Sequence, residues 1–436
     1  MKSTRYWMLV LVVAAAFAAA AGCEGAGRTG GDGDADTDTD TDTDTDTDTD
    51  TDTDSDSDGD GTGTLHGTVM APSGEFPIPG ALVYVTHGDG SVIEDNAYCY
   101  ECDDMTYNDW TLSGPDGQWT LEGVSDGDWN LVTRKGFFQR QRAITVLADQ
   151  VNEVPVELTT LPPEDSADGL DIIPNYAVLL NSYDRSEDML AKLGIAELGG
   201  DGHWVPGTER FDAYNDASSA SSAVGESITL FDAQENLNQY HMIFFPCMCN
   251  GIFTGVTAAR GEMLRNYAEA GGKVYSSCWA YDWTQVPFRE GSFPSYQNVI
   301  EYGGDIGESA AYETTGRIED EQMRAWLAVV DSGDSPDAFP FTGAWTQLYG
   351  VNDLDNGLGL EEDGFVIKPT IWVTDQDYFD GQPMTVTFPW GCGKIFHTVY
   401  QVVESTPSAT IRPQEFVLLY LILEVGVCEG EYEDPE

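Results

Sequence analysis

Eight cysteines and five histidines carry most of the chemistry that this chain of 436 residues can offer. Cys99-Tyr100-Glu101-Cys102 has the spacing of a redox dithiol, of half a zinc site, or of a local disulfide. No second pair of ligands lies near it and no βαβ pattern surrounds it, so the expected form is a disulfide clip between Cys99 and Cys102. Cys247-Met248-Cys249-Asn250-Gly251 and Cys278 each follow an apolar run suited to a buried strand. The carboxyl ends of such strands are where open α/β sheets bind ligands, so Cys247, Cys249, Cys278, Tyr281 and Trp283 are candidates to line a crevice. No G-x-S-x-G elbow for serine hydrolysis occurs. Beyond Cys23 seven cysteines remain, an odd number, so at least one is unpaired or joined to another molecule. If Cys99 and Cys102 pair, that one is Cys247, Cys249, Cys278, Cys392 or Cys428, and spacing does not choose among them.

Cys23 is expected to have a different chemistry. Lys2 and Arg5 precede an apolar run from Trp7 to Ala21, which ends in Ala20-Ala21-Gly22-Cys23. A basic start, a short apolar stretch and small residues at the cut describe a secretory signal, and the Cys just after it resembles the bacterial lipobox. The resemblance implies cleavage before Cys23 and acylation of its thiol, so residues 1–23 are read as the signal. Glu24 follows, without the Asp that the lipoprotein family uses for inner-membrane retention. The expected place is therefore the outer membrane of a Gram-negative cell, with the bilayer as a partner through the lipid.

Residues 24–63 follow as a tether. Asp occupies every even position from Asp32 to Asp60, mostly alternating with Thr. Repelling carboxylates with nothing apolar to bury make an extended, solvated spacer. At roughly 3 Å per residue, about 35 residues reach on the order of 100 Å. Asp54-Ser55-Asp56-Ser57-Asp58-Gly59 begins like a calcium loop, but Leu65 stands where the bidentate Glu belongs, so no metal site and no cofactor is expected. With 19 basic against 76 acidic residues and a net charge of −57, nucleic acid is excluded as a partner.

From 64 to 160 the chain reads as short alternating strands between Gly, Pro and Asp turns: Leu65 to Met70, Ala81 to Thr86, Gln118 to Glu122, Trp129 to Thr133, Arg142 to Val146 and Val154 to Leu158. That spacing predicts an all-β sandwich. The segments Leu65-His66-Gly67-Thr68-Val69, Ile78-Pro79-Gly80-Ala81-Leu82-Val83-Tyr84-Val85, Pro115-Asp116-Gly117-Gln118-Trp119 and Asp126-Gly127-Asp128-Trp129 resemble the carboxypeptidase regulatory-like domain. This transthyretin-like sandwich is an accessory module. None of His66, His87, His203, His241 and His397 has Glu three residues on, so peptidase zinc chemistry is excluded.

Residues 161–175, with Pro162-Pro163, read as a linker into an α/β region over 176–428, and 429–436 as an acidic tail. Strands are expected at Tyr176 to Leu180, Ile228 to Phe231, His241 to Phe245, Lys273 to Ser277 and Gly393 to Thr398. Helices are expected at Ser186 to Leu193, Gly261 to Ala270 and Gln414 to Val425. This alternation predicts a parallel sheet. The stretch from Tyr240 to Cys247, then Leu264-Arg265-Asn266-Tyr267-Ala268-Glu269-Ala270-Gly271-Gly272-Lys273-Val274-Tyr275, resembles the class I glutamine amidotransferase-like fold, a flavodoxin-like parallel sheet, in its non-catalytic branch related to ThuA-type domains. In the catalytic branch a G-x-C-x-G turn presents a Cys to a His that is followed by Glu two residues later. Here Cys247 replaces the first Gly, and His397 is followed by Thr398-Val399.

The expectation is thus a cell-surface lipoprotein whose second module is a non-catalytic binding or assembly unit for protein or carbohydrate. Aromatics from Trp279 to Tyr296, with Trp345, Trp372 and Trp390, are available for stacking or for the core. The competing expectation is a thiol-dependent hydrolase using Cys249 or Cys278 with His397.

Overall fold

The computed structural model describes residues 61–99, 110–247, 256–290, 297–305, 311–331, 333–355, 366–401 and 408–427. Cys23, the tether up to residue 60, Cys102, Cys249 and Cys428 lie outside these residues, so the readings placed on them stand as expectations.

Gly/Pro/Asp punctuation produces β1 (Thr62–Thr68), β2 (Leu82–Thr86), β3 (Trp110–Leu112), β4 (Gln118–Ser125), β5 (Gly127–Lys135), β6 (Phe138–Val146), β7 (Val151–Glu153) and β8 (Asp171–Ile172). They make two sheets, β4-β1-β7 and β3-β2-β5-β6-β8. In β1 the alternation is strict, with Leu65 inward and His66 outward beside Glu153 at 2.9 Å. The expected strand Val154 to Leu158 is not formed. Pro155 cannot donate to a ladder, so pairing stops at Glu153 and Val156–Leu158 is a 3₁₀ turn. Residues 161–175 do more than link: Leu161 is in the core, and Asp171 carries β8 against β6, held there by Arg140 at 3.0 Å and Arg142 at 2.7 Å.

Beyond them a ten-stranded sheet begins with β9 (Tyr176–Leu179), β10 (Asp212–Asn215), β11 (Gly225–Glu226), β12 (Met242–Phe245) and β13 (Lys273–Ser277). Its order starts β11-β10-β9-β12-β13 and continues with the strand Gly393–Thr398, all parallel. The strands Pro383–Trp390, Thr370–Asp375, Tyr312–Ile318 and Phe339–Ala344 extend it antiparallel. Continuous apolar runs such as Tyr176–Leu179 and Met242–Phe245 are buried at every residue, as a sheet covered on both faces requires. The expected strand Ile228 to Phe231 is instead a 3₁₀ turn, Ser227–Phe231, which lays the Phe231 ring over Trp283 at 5.1 Å. The chain is therefore a multi-module, β-rich protein with a sandwich and a mixed, helix-flanked sheet.

Helix ends follow local chemistry. Helix α1 (Ser186–Leu193) closes on Gly194 at φ 111°, a left-handed cap that Gly adopts without a Cβ clash. The helix Pro413–Val425 starts with Pro at its first position, and Glu415 accepts the Arg412 N–H at 2.8 Å. This last helix is buried at every residue except Pro413 and Glu424. Such a helix has no solvent face and must be covered all round. It packs on α1, on the helix Glu321–Val330 and on the strand Phe339–Ala344. Phe76 of the sandwich meets Phe416 and Trp326 at 6.1 Å each, and the Trp326 indole N–H donates to the Pro77 carbonyl at 2.8 Å. The β5–β6 turn packs Gly136 against Gly426, and Lys135 pairs with Glu424 at 2.8 Å. One continuous cluster of buried residues consequently runs through both modules.

Both modules should therefore unfold in a single transition. Trp326→Ala, which removes the largest side chain at their junction, should destabilise by about 3–5 kcal/mol. Urea unfolding followed by near-UV and far-UV circular dichroism checks this; a sandwich that melts separately would contradict the shared core.

Candidate functional site

The parallel strands point their carboxyl ends at one edge of the sheet, and Cys247, Cys278 and His397 collect there. Strand β13 ends in Ser276 and Ser277, whose side chains leave on opposite faces. Ser276 Oγ lies 2.7 Å from His397 Nδ1, its register partner on the neighbouring strand. Ser277 Oγ donates to the buried carboxylate of Asp184, just beyond β9. The next residue, Cys278, has φ 51°, in the left-handed region that costs a non-glycine residue about 1 kcal/mol or more. It opens the 3₁₀ turn Cys278–Tyr281. That sharp strand-to-helix turn is the geometry that would present a nucleophile.

The sulfur is not free. Cys278 is joined to Cys247, which leaves the adjacent strand β12, with Cα atoms 5.0 Å apart. Both are fully buried. Of the two thiols expected as alternatives, Cys278 is thus consumed, and Cys249 lies outside the described residues. His397 is also wholly buried, and burial pushes its pKa down to about 3. It stays neutral at ordinary pH, and its Nε2 has no hydrogen-bond partner among the described residues.

The opposite, amino-terminal edge carries the second disulfide. The expected clip between Cys99 and Cys102 is replaced: Cys99 pairs with Cys392, 293 residues away and 5.0 Å off between Cα atoms. The reason is the path of the insertion before Cys99. The Ala97 N–H donates to Asn238 O at 2.7 Å, and the Asn175 side chain donates to Asp95 O at 2.9 Å. His241 Nδ1 accepts the Asn175 N–H, so its Nε2–H donates to Glu94 O at 2.7 Å. These bonds lay Cys99 under the hairpin tip that carries Cys392. In the chain-entropy picture, loop closure for a ring of this size contributes about 6 kcal/mol.

The aromatic side chains divide differently from expectation. Trp283 is core, stacked on Phe245 at 4.7 Å, and so does not line the crevice. Trp390 is buried under Arg265, and the Trp372 indole is held by Thr387 at 2.8 Å. Tyr281 is partly exposed and meets Tyr302 at 5.0 Å, which in turn sets its ring edge-on to His397 at 5.3 Å. Trp279 and Trp345 meet at 5.7 Å, both partly exposed. Among the described residues no cluster of His, Cys, Asp and Glu is arranged to hold a metal ion.

Acidic residues after β9 were not singled out by sequence. Glu187 looks there like an ordinary first-turn acid of α1, yet it is 1% exposed and neither carboxylate oxygen has a hydrogen bond. Burial raises its pKa to about 8; Arg185, 3.5 Å away, opposes this, while Asp188 and Asp184 add to it. Asp188 is by contrast satisfied by Arg185 at 2.7 Å, His203 at 2.8 Å and the Trp204 N–H at 2.8 Å.

No family model matches the chain, and no curated protein does. Solved structures that it resembles include a beta-galactosidase from Bacillus circulans sp. alkalophilus, at TM-score 0.30 and 10% identity over 58% of this chain and 31% of that one. The cytoplasmic protein STM3548 from Salmonella typhimurium matches at TM-score 0.31 and 10% identity over 58% of this chain and 98% of that one. GBS52, the minor pilin of Streptococcus agalactiae, matches at TM-score 0.17 and 17% identity over 23% of this chain and 44% of that one. The chain spans under a third of the length of the beta-galactosidase. These likenesses carry no argument about activity.

The Glu187 carboxyl binds its proton more tightly folded than unfolded, so its contribution to stability is complete below pH 4.5 and is lost as pH rises towards 8. His241, lowered to about 4, and His397 act in the opposite sense, and only below pH 6.5. Between pH 6.5 and 8, wild-type stability should therefore fall with pH, and Glu187→Gln should flatten that slope. Urea midpoints measured across this range check it; an unchanged slope in the variant would contradict the buried carboxyl.

Proposed function

We propose that this chain is an extracytoplasmic lipoprotein whose folded part is a non-catalytic binding or assembly module for a cell-surface protein or carbohydrate. One observation carries the non-catalytic reading. The sulfur at the strand-to-helix turn, Cys278, is bonded to Cys247, and His397 is turned to Ser276. A thiol mechanism needs a free thiolate with a base against it. Two disulfides at opposite edges of one sheet among the described residues also suit an oxidising compartment.

The finer assignments belong to the same proposal. The order β10-β9-β12-β13, parallel, with Cys278 at its turn, supports a class I glutamine amidotransferase-like module of the ThuA-related branch that has lost its chemistry. The two sheets β4-β1-β7 and β3-β2-β5-β6-β8 support a carboxypeptidase regulatory-like accessory. Among the described residues no helix is long and apolar enough to cross a membrane. Attachment would rest on the Cys23 lipid, with the Asp-rich spacer holding the module away from the surface.

Expression in a Gram-negative host with an alkyne palmitate analogue tests the anchor. The wild type should incorporate the label and sediment with outer membranes. Cys23→Ser should lose the label and move to the soluble fraction; a variant that stays in the membrane would overturn the anchoring.

A further inference from the structure

Three polar atoms at the carboxyl edge of the sheet are shielded from solvent and have no partner among the described residues: Trp279 Nε1, Trp345 Nε1 and His397 Nε2. Buried indole N–H groups ordinarily find an acceptor, and each orphan calls for an explanation. These three are neighbours in the fold. Trp279 follows Cys278 directly, and Ser276 two positions before Cys278 holds His397. The Trp345 backbone N–H donates to Val399 O, two residues past His397 on the same chain, at 3.1 Å. Tyr302 packs edge-on against His397. While the nitrogens are hidden, Trp279, Trp345 and Tyr302 are each partly exposed as whole residues.

We propose that this edge binds a neutral, polyhydroxylated ring, a sugar residue of a glycan. This rests on reading the module as a binding unit and names its ligand class. Partly exposed aromatic residues suit the C–H surface of a pyranose, and the orphaned indole donors need acceptor oxygens, which hydroxyl groups supply. Charge narrows the class from both sides. Asp184 lies close behind Ser277, and among the described residues no Lys or Arg stacks on Trp279, Trp345 or Tyr302, which disfavours an anion. A cation, in turn, would meet two N–H donors and gain nothing from them. The imidazole, kept neutral by burial, fits the same uncharged ligand.

The test is calorimetric titration of the purified folded chain with neutral gluco-, galacto-, manno- and N-acetylglucosamine tetrasaccharides at up to millimolar concentration. At least one should bind. Trp279→Phe and Trp345→Phe keep a ring and remove the N–H, so each should weaken binding about tenfold, the worth of one buried hydrogen bond. Trp129→Phe in the sandwich, where the indole already donates to Ser125 O, should leave affinity unchanged. Failure of every sugar to bind, or wild-type affinity in both Phe variants, would overturn the assignment. Chromatography of the recovered sugars separates this from the broader reading: shortened chains with intact binding would overturn the non-catalytic reading while keeping the site.

Discussion

A thirteen-residue helix with almost no solvent face governs the architecture. Pro413–Val425 is buried around almost its whole circumference, so burial on one side alone would leave a stripe of Leu, Val and Tyr in water. At roughly 25 cal/mol per Å² of apolar surface, a stripe of several such side chains is worth several kcal/mol, of the order of a domain's net stability. The sheet and its helices cover part of the helix, and the sandwich supplies Phe76 and the Gly136-Phe137 turn for the rest. The two modules therefore share one core. The buried Lys192–Glu415 pair, at 2.7 Å, fixes the start of that helix against α1. Neither partner can be removed without stranding the other's charge in the interior.

The shared core holds the parallel strands in register, and the register sets what the sheet edge can do. Ser276 stands opposite His397 because β13 and Gly393–Thr398 pair residue for residue. Cys278 is thrown across to Cys247 by a left-handed turn at the end of the same strand. The edge thus retains the shape of a nucleophile turn while its sulfur is tied up and its imidazole has another partner. What remains there is a group of partly exposed aromatic residues around a few buried polar atoms without a partner among the described residues.

Much of this was legible in sequence where a local rule decided it. Tyr176–Leu179 and Met242–Phe245 are unbroken apolar runs, and they are strands buried on both faces. Helices expected at Ser186 to Leu193 and Gln414 to Val425 form at Ser186–Leu193 and Pro413–Val425, whereas the one expected from Gly261 starts earlier, at Ala258, because Thr257 accepts the Arg260 N–H. Long-range geometry decided the rest. Cys99 and Cys392 are 293 residues apart, and no spacing rule could pair them over the nearer Cys102. Trp279 and Trp283 stand four residues apart in a short irregular stretch, so periodicity could not say that the first stays partly exposed while the second fills the core. Glu187 shows the same limit: an acid in a first helical turn is usual, and only the packing around it makes it a buried carboxyl with no hydrogen bond to either oxygen.

The state of the sulfur at Cys278 separates a binding edge from a reaction centre. Alkylation of the native, unreduced protein with iodoacetamide, followed by non-reducing digestion and mass spectrometry, reads it directly. The expected result is a Cys247–Cys278 cross-linked peptide, a Cys99–Cys392 cross-linked peptide and no alkylated Cys278. Recovery of Cys278 carrying the alkyl group, with Cys247 likewise unpaired, would contradict it and return a free thiol to the turn beside His397.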